Sequence, residues 1–223
     1  MNTRLAARRF TGWAAILSGV AAILAMVTVI LFFALEMDSS EEHLWGPLSD
    51  IFPIIQMALL LVVARGLHVI QRPATPRTSI IGMVIGVVGM LGVIVLQTFL
   101  RMGAMQFAQE IGPLVIAFAL VGVWLIVANY LGRQRSLPSR LAWLGMVVGV
   151  AYVLEPVIVF VAGGADWRAY MSNPLLVVVS AVIFLLAYVG FPIWAIWLGR
   201  VLLATNATEE ARLQVGLVPP RIG

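Results

Sequence analysis

The sequence predicts an all-α, polytopic integral membrane protein, a bundle of six transmembrane helices arranged as three helical hairpins. Three observations carry this. The chain is 62% hydrophobic with a mean hydropathy of +1.04, whereas soluble domains are about 45–50% apolar. Six apolar runs each approach the length of about 20 residues that spans a bilayer as a helix. The basic residues, all arginine, collect on alternate connections between those runs.

Segment one, 12–35, follows Arg4, Arg8 and Arg9. It exceeds a signal-peptide core and lacks a small-residue cleavage site, so it reads as a retained helix. An acidic loop with Glu36, Asp38, Glu41, Glu42 and Asp50 leads to segment two, 51–70. The turn QRPATPR carries Pro73 and Pro76, which forbid helix continuation, and precedes segment three, 79–100. Segments four, 111–132, and five, 141–163, flank a second basic turn, RQRSLPSR. Segment six, 174–199, closes a six-helix domain over residues 1–203, and a polar tail occupies 204–223.

Six crossings place both termini on one side, and charge indicates which. Twelve arginines (4, 8, 9, 65, 72, 77, 133, 135, 140, 200, 212 and 221) fall on the side of the termini, against Arg101 and Arg168 on the other. The positive-inside rule then makes both termini cytoplasmic. Trp13, Trp45, Trp143 and Trp167 stand near segment boundaries, as an aromatic belt requires.

Small-residue steps recur on the first helix of each successive pair: Ala15 to Gly19, Gly82 to Gly86, and Gly145 to Gly149. Such steps let backbones approach where lipid supplies no hydrophobic drive between helices. Segment three, with Gly82, Gly86, Gly89 and Gly92, is the expected tightly packed central helix, and its glycine face is a candidate surface for homo-oligomerisation. The three steps read either as an internal repeat of hairpins or as chance similarity among glycine- and valine-rich helices.

Composition also excludes chemistry. Without cysteine there is no disulfide or thiolate site, and without lysine no Schiff-base attachment point. No P-loop, GxSxG, HExxH or dinucleotide-binding pattern occurs, and Ser18 and Ser180 have no histidine neighbour in sequence. The reading therefore leans away from an enzyme and implies no cofactor. The basic charge fits anionic lipid and not nucleic acid.

Glu155 is the residue that asks for an explanation. It is the carboxylate within segment five, where burial in lipid costs at least about 2.5 kcal/mol, so it is expected to face the bundle interior. Tyr152, three residues earlier on the same face, is a candidate hydrogen-bond donor, and Pro156 loosens the adjacent backbone. Gln97 and Arg101 share a face of segment three. If segments three and five are neighbours, these residues, with Gln56 at similar depth, form a polar cluster for binding or proton relay. The structural alternatives are a pinned carboxylate, a snorkelling Arg101, and glutamines that tie helices together. His43 and His68 fall on opposite sides and cannot share a metal. Asp38, Glu41, Glu42 and His43 match no EF-hand spacing and read as a solvated loop. Pro192 is expected to kink segment six.

The stretch LGRQRSLPSRLAWLGMVVGVAYVLEP and the terminal FPIWAIWLGRVLL resemble a widespread group of uncharacterised bacterial membrane proteins catalogued as a domain of unknown function. Leu137-Pro138, Gly145 with Gly149, and Trp194 with Gly199 carry the resemblance, over the C-terminal half. It implies a bacterial inner-membrane six-helix protein and transfers no functional residue. Two functions are carried forward. The first is an accessory or structural subunit of a membrane assembly, its partners being lipids and other subunits or copies of itself. The alternative is a small transporter, channel-like or sensor protein binding an ion or small molecule around Glu155.

Overall fold

The computed structural model describes residues 3–36, 44–73, 75–134, 137–161 and 173–214. Helix α1 (Thr3–Leu31) ends in a π-helical turn, Phe32–Glu36. It is followed by α2 (Trp45–Gln71), α3 (Pro76–Arg101), α4 (Phe107–Arg133) and α5 (Ser139–Val161). The sixth span is α6 (Pro174–Phe184), a π-helical turn over Leu185–Val189, and α7 (Gly190–Gln214). Six of the helical stretches are long and apolar enough to cross a membrane, as the sequence predicts. The last helix runs on to Gln214, so much of the polar tail is helical. The acidic loop residues Asp38, Glu41, Glu42 and His43, and likewise Arg135, Asp166, Trp167, Arg168 and Arg221, lie outside the described residues.

Local chemistry sets the ends. Pro76 and Pro174 occupy first-turn positions, where a missing N–H costs nothing, and the Asn173 side chain accepts from the Leu176 N–H at 3.2 Å. The N-terminus of α2 is capped from a distance. The buried Glu36 carboxylate accepts the backbone N–H groups of Leu44, Trp45 and Gly46 and neutralises the positive end of the helix dipole. Gly103, at φ 70°, takes the left-handed conformation that lets α3 turn into α4. In α7 the ring of Pro192 removes a hydrogen bond to the Tyr188 carbonyl. The preceding Leu185–Val189 forms a π turn, just before the proline at which the sequence predicts a kink.

The helices close into a ring in which each packs on its two sequence neighbours and α7 returns to α1. Hairpin pairs form, but α4 packs on α5 as extensively as any helix does on its hairpin partner. The small-residue steps also face unlike neighbours. Gly19 meets α7 at the Pro192 carbonyl, Gly82 and Gly86 meet Val127 and Trp124 of α4, and Gly149 meets Gly122 of α4. The glycine face of α3 is therefore consumed inside the chain by α4, with Gly89 against Ala117 and Gly92 beside it. This replaces the expected homo-oligomer surface there. The core holds Met57, Leu60, Val63, Met90, Val93, Trp124, Tyr152, Phe191 and Trp194. Large apolar residues such as Phe10, Ile81, Val88, Phe160 and Val178 cover the outside, a surface suited to lipid. Trp13 and Trp143 are about half exposed, and the Arg133 guanidinium lies 4.8 Å from the Trp143 ring centre.

One of the closest crossings lies between α4 and α5. A Cβ on Gly122 would fall 2.5 Å from the Gly149 carbonyl oxygen, and one on Gly149 would fall 2.6 Å from that of Gly122. Gly149→Ala is predicted to push the two helices apart and cost about 1–3 kcal/mol of stability, the usual overpacking range. Gly112→Ala, where a Cβ would meet nothing within 4 Å, is predicted to be neutral. Unfolding midpoints in detergent compare the two.

Candidate functional site

Beyond the Gly122–Gly149 crossing, α5 carries Tyr152 and then Glu155 along its buried face. Tyr152 stacks on Phe118 of α4, with ring centres 5.4 Å apart, and meets Tyr188 at 6.0 Å and Phe191 at 6.3 Å. Phe118 and Tyr188 also meet edge to face at 6.3 Å. Tyr188 stands on the π turn of the sixth span, so three spans build one aromatic nest.

Glu155 lies against this nest with 0% of its surface exposed, close enough to act electrostatically on both Tyr152 and Tyr188. Neither carboxylate oxygen has a hydrogen-bond partner among the described residues. This corrects the expected Tyr152–Glu155 hydrogen bond. The phenol ring is held by stacking on Phe118, and that orientation is set by packing and not by the carboxylate. A buried polar group without a partner costs about 1–3 kcal/mol, and more when charged.

The rest of the expected cluster divides. Helix α3 packs against α2 and α4 and makes no contact with α5. Gln97 and Arg101 therefore do not meet Glu155; Gln56 is buried on α2, and its backbone carbonyl accepts from Ser18 Oγ of α1 at 3.2 Å. Gln97 is buried with an unpartnered Oε1, and Arg101 is exposed. Sequence spacing identifies a shared face on one helix, but it does not say which helices are adjacent.

Two of the polar links that escaped the sequence reading stand out. The first is central: Trp194 Nε1–H donates to Asn129 Oδ1 at 2.9 Å, and Asn129 Nδ2–H donates to the Leu125 carbonyl at 2.8 Å. Gly145 leaves the room Asn129 needs between α4 and α5. The second joins α2 to α3, where His68 Nδ1 and Ser79 Oγ share a hydrogen bond at 2.9 Å. Both residues line a small cleft with Gln71, Gly82 and Trp124. The signal for that pair was available, since 68 and 79 stand at similar distances from the proline turn that joins their helices. The cleft lies toward the terminal end of the bundle and away from Glu155.

No protein-family model matches the chain, and comparison with curated proteins and with solved structures returns no match.

Glu155→Leu removes two unpartnered oxygens at similar volume, and its unfolding midpoint in detergent is predicted to equal or exceed that of the native protein. Asn129→Leu is predicted to lose about 1–3 kcal/mol, because it strands the Trp194 N–H. A loss of stability in Glu155→Leu matching that of Asn129→Leu would mean that Glu155 is a structural carboxylate.

Proposed function

We propose that the protein is a small transporter, channel-like or sensor protein that binds a proton or small cation at Glu155. It sits in the cytoplasmic membrane of a bacterium, with both termini cytoplasmic. The orientation rests on the arginine bias, twelve against two, and the bacterial setting on the resemblance of the C-terminal half. The observation that carries the functional reading is the Glu155 carboxylate itself, with no exposed surface and two oxygens without partners. A carboxylate kept only for packing would be expected to end on a donor, and neither neighbouring tyrosine hydroxyl donates to it.

The sixth span supplies the moving part of the proposal. Helix α7 packs along α1, whereas α6 makes no contact with α1 and rests on α5 alone among the helices. The change falls at the Leu185–Val189 π turn, which carries Tyr188 of the nest. Ligand enters as α6 swings at that turn, and the aromatic faces add cation–π attraction to the carboxylate charge. An accessory-subunit role has no observation of comparable weight behind it.

The test is labelling of the purified protein with a hydrophobic carbodiimide, which reacts with the acid form of a carboxyl, with the modified residue read by mass spectrometry. Modification at Glu155 is predicted to fall as pH rises and to be slowed by the bound cation, with Glu155→Gln unlabelled there. A Glu155 that stays inert at every pH, in a protein whose Gln variant is equally stable, would return the reading to an accessory subunit.

A further inference from the structure

Two further unsatisfied oxygens stand at the end of the bundle opposite the termini, on α3 and α4, and a carboxylate of α2 lies at the same level. Glu110, in the first turn of α4, is 1% exposed, and its Oε1 has no partner among the described residues. Gln97, near the end of α3, is 8% exposed, and its Oε1 likewise has none. Asp50, in the early turns of α2, is partly buried and within electrostatic reach of both Glu110 and Arg101.

Helix register brings these together. The His68–Ser79 hydrogen bond pairs α2 with α3, and stepping along the antiparallel helices from there sets Asp50 opposite Gln97. Gly86 lies on Trp124 and Gly92 on Ala117, and the same stepping along α3 and α4 sets Gln97 within a turn of Glu110. Gln97 continues the buried stripe of Gly86, Met90 and Val93 that α3 turns toward its neighbours. Arg101, one turn further, is exposed and lies within electrostatic reach of Asp50.

We infer that Asp50, Gln97 and Glu110 form a binding site for a hard metal cation, sodium or calcium, with water from the open end completing the shell. The donors suit this class: two carboxylates and an amide carbonyl are oxygen ligands of the kind such ions take, with no nitrogen or sulfur. The three helices that contribute are joined in sequence, so a bound ion ties α2, α3 and α4 at one end as the glycine contacts tie them lower down. The site is separate from Glu155. Glu110 stands about two turns along α4 from Phe118, the residue that stacks on Tyr152.

The test is the unfolding midpoint of the full-length protein in detergent, titrated with calcium chloride or sodium chloride against choline chloride at constant ionic strength. One of the two metals is expected to give a saturable rise of about 5–10 °C at a concentration near 100 times its dissociation constant, with choline giving none. Asp50→Asn and Gln97→Leu, which leave Glu110 in place, are expected to weaken or abolish the rise, and Glu110→Gln to abolish it. Glu155→Gln is expected to keep it, which separates this site from the proposed function. No saturable rise with either metal, the same rise in Asp50→Asn and Gln97→Leu, or its loss in Glu155→Gln would each overturn the inference.

Discussion

Close approach of backbones at glycine holds this bundle together. Between helices whose outer surfaces match lipid, burial of apolar area supplies little drive, and van der Waals contact at short range must do more. The chain meets that need at Gly122 against Gly149 and at Gly12 against Gly199, where each backbone reaches the other's carbonyl. The first of these crossings also sets the site. With α5 seated directly on α4, Tyr152 stacks on the Phe118 ring, and Glu155 follows one turn later on the same buried face.

Against that tight frame the polar groups fall into two sets. Asn129, Trp194, Gln71, His68, Ser79 and Thr11 all find partners, and several of them tie one helix to another. Glu36 is likewise satisfied, as the cap of α2. Glu155, Glu110 and Gln97 each keep an oxygen without a partner while buried as fully as the first set. In a low-dielectric interior an unpaired oxygen is the costlier state. A chain that satisfies Asn129 and Gln71 leaves these oxygens unmatched, and the proposals for Glu155 and for the α2–α4 end rest on that contrast.

Much of the architecture was legible in the chain. Apolar runs of spanning length, proline turns and the arginine pattern fix the number and order of helices, because each rests on local chemistry. The burial of Glu155 was legible for the same reason, since a carboxylate in an apolar helix has few places to go. Its neighbours were not. Gln97 and Arg101 share a face with one another, but whether that face meets α5 is settled by the ring order of the helices, which composition does not encode. The Tyr152 contact failed for a related reason: spacing puts the phenol and the carboxylate on one face, and a ring supplied by another helix decides where the phenol turns. The glycine steps were visible as packing sites, while the helix each one meets was not.

The claim that Glu155 is an open ligand position is tested most directly by infrared difference spectroscopy of its carboxyl group, assigned by the band lost in Glu155→Gln. The account predicts a carboxyl band that responds reversibly to a change of pH or to an added cation in the native protein and is missing in the variant. A Glu155 band unmoved by pH and by every cation tried, in a protein that stays folded throughout, would contradict it.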